Sequence, residues 1–185
     1  MEATQSLDRD HRIIETVLPA LERLGRQAEG MRLRQREEAE AAVGFLRTFV
    51  DAYHHGKEEQ HLFKVMEERG VPRDGGLILH LLKEHGEGRA HVRAMSEALR
   101  QLADGDAQAS ARFAQHAREY VTLLRHHIED EDTNLWPLAE RVLTPEDDTR
   151  LAHGYAQVER ETIGDGGVNH YRERARELSQ AASFA

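Results

Sequence analysis

Two glutamates that fall on apolar helix faces constrain this chain more than any other feature. His54 and Glu58 continue the stripe of Leu46 and Val50, and His127 and Glu131 continue that of Tyr120 and Leu124. A spacing of four places both members of each pair on one helix face. An ionised carboxylate on a buried face is costly unless it is paired or coordinates a metal. Two of them, each one turn from a histidine, ask for a shared cation. His11, between Leu7 and Ile14, and His85, between Leu82 and Val92, also lie on buried stripes.

The arrangement is repeated within the chain. The separations 127 − 54 and 131 − 58 are both 73, and the same offset aligns Leu62-Phe63 with Leu135-Trp136 and Glu59 with Asp132. An offset of 74 carries Asp10-His11 onto Glu84-His85. Each half therefore supplies one lone histidine and one His-x-x-x-Glu pair. Together they offer His11, His54, Glu58, His85, His127 and Glu131 as metal ligands. The repeat also favours His54 over its neighbour: His55 aligns with Ile128, and its register passes through polar Asp51. His55 and Glu59 are left either to orient the ligands or to face solvent. Two imidazoles and a carboxylate per half suit non-haem iron, although zinc and manganese accept the same donors. If both glutamates bridge, each metal receives two imidazoles and two carboxylate oxygens, and an oxo or hydroxo bridge would add a fifth ligand. The cations would also compensate the buried carboxylates.

Apolar spacing predicts an all-α fold in which four long helices form an up-down-up-down four-helix bundle with short connections. The first carries Leu7, Ile14, Leu18 and Leu21 and ends near Gly25 or Gly30; the second ends at Gly70, ahead of Pro72. The third follows Gly75-Gly76, presents Ile78, Leu82, Val92, Met95, Leu99 and Leu102, and stops at Asp104-Gly105-Asp106. The fourth turns Phe113, Ala117, Tyr120, Leu124, Leu135, Leu138 and Val142 inward. Thr144-Pro145 then reads as an N-cap with proline at the first helical position. The next helix breaks at Gly164-Asp165-Gly166-Gly167, and a last amphipathic piece carries Tyr171 and Leu178. The expected organisation is a bundle over 1–143 with a helical extension over 144–185 packed on it.

The remaining composition narrows the chemistry. With no cysteine among 185 residues, disulfides, thiolate sites and cysteine nucleophiles are excluded. A net charge of −9 with interspersed basic residues argues against a nucleic-acid face. No apolar run reaches the roughly 20 residues of a membrane span. The start of the chain lacks the features of a signal peptide, so a cytoplasmic location is expected. Of the other histidines, His116, His126 and His153 read as surface residues, His80 and His91 as structural ones at the edge of the third helix face.

The segments Asp10-His11, HHGKEEQHLF (54–63), EHGEGR (84–89) and HIEDEDTNLWP (127–137) occur in the order found in the hemerythrin-like, or HHE cation-binding, family, which the chain resembles over roughly residues 7–143. The resemblance implies a four-helix bundle holding two non-haem iron ions that bind or react with dioxygen, peroxide (H2O2) or nitric oxide (NO). Catalase-like peroxide chemistry is one such activity. An iron-sensing or iron-buffering role, with the C-terminal helices signalling to a protein partner, is the alternative. One departure stands out. Oxygen-carrying members have a His-x-x-x-His pair on the third helix, whereas His85 is followed four residues later by Arg89. Six ligands are then expected where the carriers have seven, with Tyr53, His61, His170 or water to fill the gap.

Overall fold

The four apolar stripes become four long helices, and the capped tail becomes two more. The computed structural model describes residues 1–106 and 108–181, so the last four residues of the expected extension lie outside the described residues. Helix α1 is Glu2–Arg26. Helix α2 runs without a break from 33 to 68 through Leu33–Phe45, Leu46–His55, Glu58–Leu62 and Phe63–Glu68. Helix α3 is Leu77–Ala103. Helix α4 spans 109 to 142 as Ala109–Asp130, Glu131–Leu135 and Trp136–Val142. Helix α5 is Pro145–Thr162, and after a 3-10 turn at Gly164–Gly166, α6 is Gly167–Ala181. Among the described residues there is no strand.

The helix ends follow from local chemistry. At Gly70, φ is +90°, a conformation that closes the end of α2 and that a side chain would oppose. At the start of α5, the Asp147 backbone N–H donates to the Thr144 hydroxyl, and the Thr144 N–H donates to the Asp147 carboxylate. This reciprocal cap satisfies two otherwise unpaired donors. Arg69, just past the end of α2, donates from Nε and Nη2 to the same carboxylate at 2.7 and 3.1 Å, tying α5 to α2.

Packing joins α1 to α2, α2 to α3, α3 to α4 and α4 back to α1. Helix α6 lies along α1, and α5 rests on the middle of α2. Gly56 permits that second approach, because a Cβ there would sit 3.3 Å from Val158 Cγ1. The apolar interior divides into two clusters. One contains Ile14, Leu18, Phe49, Tyr53, Met95, Tyr120 and Leu124. The other contains Leu7, Leu62, Phe63, Leu81, Leu135, Trp136 and Leu151. On each long helix the candidate ligands fall between residues of these two clusters, so a polar layer crosses the core at mid-height.

Three stretches of the long helices are wound as π-helix: Leu46–His55, Glu58–Leu62 and Glu131–Leu135. Such turns are rare and concentrate at functional sites. Here the first contains His54 and ends on His55, and the others begin on Glu58 and Glu131. The wider turn also moves the stripe downstream on α4 by one position, so Ala139 and Leu143 are buried while Leu138 and Val142 are only half-buried. On α3 the stripe runs through Leu81, with Leu82 half-buried.

Candidate metal centre

All six residues singled out by the repeat are buried: none exceeds 2 % exposure. They converge, and His55 joins them. One group comprises His11, His54, Glu58 and Glu131; the other comprises His55, Glu58, His85 and His127, with the donor atoms of each group within 4.8 Å of one another. Both carboxylates face both groups. Glu58 Oε1 is 3.6 Å from His54 Nε2 while its Oε2 is 3.4 Å from His85 Nε2. Glu131 Oε2 is 3.0 Å from His11 Nε2 while its Oε1 is 3.3 Å from His127 Nε2. Each glutamate thus presents one oxygen to either side, the disposition of a bridging ligand.

A shell of carboxylates fixes the imidazoles. The Nδ1–H groups of His11, His85 and His127 donate to Asp132, Glu59 and Glu84 at 2.9, 2.7 and 2.9 Å, and His54 Nδ1 lies 3.4 Å from Asp10. This directs each Nε2 at the centre, where its lone pair would be free to hold a cation, as in a carboxylate–histidine–metal relay. The shell obeys the internal repeat. The acid before each lone histidine (Asp10, Glu84) holds the histidine of the neighbouring His-x-x-x-Glu pair. The acid after each ligand glutamate (Glu59, Asp132) holds a lone histidine.

The structure adds His55 to the cluster and decides against a solvent-facing position. The register through Asp51 that argued against His55 assumes an α-helix. In a π-helix successive side chains diverge less in angle, so His54 and His55 both turn inward, 1 % and 4 % exposed. His55 stacks on His85 with ring centroids 3.8 Å apart and planes 11° from parallel. It is the third imidazole of its group, to which position 89 contributes none. Arg89 instead donates to Asp51 and Glu59, both at 2.6 Å. Imidazoles are therefore divided three and two, not two and two. Tyr53, His61 and His170 belong to neither group: His61 packs over Gly154 and Tyr155, and His170 is exposed.

Lys57 was also missed. It is 0 % exposed, and its ammonium donates to Asp10, to Ser6 Oγ and Tyr53 OH at 3.3 Å each, and lies 4.5 and 5.1 Å from the ring centroids of Tyr53 and Tyr155. A buried lysine is tolerated only when paired in this way. Its repeat partner is half-buried Asp130 (57 + 73), so the pattern carried no signal for it.

Electrostatics shows what the layer lacks. Both oxygens of Glu58, Oε1 of Glu131, Nε2 of His85 and of His127, and both nitrogens of His55 are buried without a hydrogen-bond partner. Each side chain left in this way costs on the order of 1–3 kcal/mol. Burial, reinforced by the Glu131 charge, pushes Glu58 well above the carboxylate range. Burial acts on Glu131 in the same sense, but His127, His11 and His54 outweigh it and hold its carboxyl low. Burial opposes protonation of His11, yet Asp132 and Glu131 overcome it and raise its pKa to about 9. His54 is lowered to about 4 by burial, with Asp10 opposing. Two cations at the two groups would pair all of these atoms but one nitrogen of His55 and remove the reason for Glu58 to hold a proton, so the residues fit a two-metal cofactor.

Imidazoles and carboxylates enclosed by helices define a cation-binding helical protein. The profile of the hemerythrin HHE cation binding domain matches residues 2–139, and the chain belongs to that family. The chain is 23 % identical over 185 residues to uncharacterized protein Rv1995 of Mycobacterium tuberculosis and to uncharacterized protein Mb2018 of Mycobacterium bovis, with 97 % of this chain and 69 % of each relative covered. No solved structure matches the chain. No helix among the described residues is long and apolar enough to cross a membrane.

Proposed function

We propose that the chain is a non-haem di-iron protein that binds or reacts with dioxygen, peroxide or nitric oxide. In this reading, residues 1–143 form an up-down-up-down four-helix bundle around the metals, and 144–185 is a helical extension packed on it. The observation that carries the reading is the set of seven buried donors, His11, His54, His55, Glu58, His85, His127 and Glu131, several of them without any other partner. Imidazole with carboxylate is a donor set for redox-active iron. When bound, the iron pair supplies electrons to, or takes them from, a small ligand.

The chain's own residues determine the rest. His55, His85 and His127 saturate one side more fully than His11 and His54 do the other, so the small molecule is received on the two-histidine side. A centre with ligands at most 4 % exposed excludes bulky substrates and admits diatomics or peroxide through thermal opening of the helices. Trp136, whose ring centroid is 5.5 Å from that of His11, keeps that side apolar. The Lys57 ammonium, held by Asp10 next to His54, adds a positive charge beside anionic ligands.

The test is to purify the protein anaerobically with iron, count iron per chain, and add dioxygen, peroxide or nitric oxide separately while recording the visible spectrum. Two irons per chain and a new absorption band with at least one of these ligands are expected. An unchanged spectrum with all three, at full iron loading, overturns the reading. A second reading, iron sensing, draws on one observation: α5 rests on the ligand-bearing stretch of α2, with Tyr155 against Lys57. It requires amide hydrogen exchange in α5 to slow on iron loading, and fails if exchange is unchanged.

A further inference from the structure

A separate set of imidazoles lies apart from the buried centre. His91 on α3 faces His116 and Glu119 on α4; the sequence pattern places the two histidines at the margin or the surface. The two Nδ1 atoms are 3.1 Å apart, and Glu119 Oε2 is 3.7 Å from each of them. The point equidistant from the corners of a triangle with edges of 3.1, 3.7 and 3.7 Å lies about 2.0 Å from every corner, the Zn–N and Zn–O bond length. Three donors from two helices therefore already stand where one small cation would hold them.

Two further features agree. The side chains are 20, 29 and 42 % exposed, so an ion and a completing water can reach them. Burial, with His116 acting in the same sense, lowers the pKa of His91 and keeps its lone pair available at neutral pH. The neighbouring trio of His80, Glu84 and Asp130 is a weaker candidate. Its Glu84 already accepts from His127 of the buried centre, and only one imidazole is present.

We propose that His91, His116 and Glu119 form a second cation site, on the surface between α3 and α4, for a divalent transition ion of the zinc class. The equidistant point lies in the plane of the two imidazole nitrogens and the carboxylate oxygen; a modest inward movement of these donors lifts the ion out of that plane and opens a fourth, tetrahedral position to water or to an external donor. The site cross-links the two helices, so its occupation stabilises the folded chain.

The experiment is equilibrium dialysis of the iron-loaded full chain against zinc(II), with zinc and iron both counted by elemental analysis. One zinc per chain is expected, with the iron content unchanged. His91→Ala and His116→Ala should each abolish that equivalent, Glu119→Gln should weaken it about tenfold or more, and His80→Ala should leave it intact. A companion measurement needs no variant: zinc should protect His91 and His116 of the wild-type chain from acylation by diethyl pyrocarbonate. Absence of the extra zinc, its persistence in both histidine variants, or equal acylation with and without zinc would each overturn the proposal; in that case one imidazole N–H donating to the other accounts for the 3.1 Å contact.

Discussion

Replacing His55 by leucine separates a ligand from a merely buried histidine, because the effect on stability should change sign with metal. In the metal-free protein both ring nitrogens of His55 are buried without partners. Leucine of similar size removes that penalty, about 1–3 kcal/mol. For a chain of this length 1 kcal/mol moves Tm by about 2–4 °C, so the metal-free variant should melt roughly 2–12 °C above wild type, less whatever the stacking on His85 contributes. With iron the balance reverses. Removing an outer partner of a ligand typically lowers metal affinity 10–100-fold, and losing a ligand should cost at least as much. That corresponds to about 1.4–2.7 kcal/mol less stabilisation on loading, or roughly 3–11 °C off the iron-induced rise in Tm. The assay is thermal unfolding followed by circular dichroism, on the chelated and the iron-loaded protein, with His126→Leu at an exposed position as control. A variant that melts lower than wild type without iron, and gains as much as wild type on loading, would refute a ligand role for His55.

Three other perturbations test neighbouring parts of the structure. Lys57→Met leaves the buried Asp10 carboxylate unpaired and should cost about 3–5 kcal/mol in urea unfolding; Lys57→Met with Asp10→Asn should recover much of it, and equal stability of the single and double variants would dismiss the pair. Asp147, held by Arg69 and then by the Thr144 cap, has its pKa lowered from 3.8 to about 2. A depressed carboxylate contributes stability above its unfolded pKa and loses it as pH falls toward its folded one, so Asp147→Asn should be about 1 kcal/mol less stable at pH 7 and converge with wild type between pH 4 and pH 2. A gap that is independent of pH would contradict this. Gly154→Ala places a Cβ 2.4 Å from His61 Nδ1, so the ring must swing out and α5 should loosen by about 1–3 kcal/mol, measured by the same unfolding; an unaffected Tm would mean that His61 moves freely.

Much of this molecule is legible as residue spacing. The helix ends at Gly70 and Thr144, the break at Gly164–Gly166, and the burial of His11, His54, Glu58, His85, His127 and Glu131 all follow from period and capping, because a helix face is set by local geometry. The supporting acids are legible too: Asp10 and Glu84, Glu59 and Asp132 occupy equivalent places in the repeat, and the structure gives equivalent members the same task. The repeat breaks at His55, whose counterpart is Ile128, and at Lys57, whose counterpart is Asp130. Symmetry could not reveal residues that depart from it.

The sequence by itself determined that two carboxylates and four imidazoles would lie inside a helical core, since the polarity of each stripe is a property of one helix. Tertiary structure alone decided that both glutamates face both groups and that His55 turns inward. It also decided that Lys57 is enclosed by α1 and α5, and that His91 meets His116 across α3 and α4. Those outcomes depend on how far apart the helices stand and on where a π turn rotates a side chain. Distances between helices, and the local widening of a turn, are set by packing that no single stretch of sequence contains.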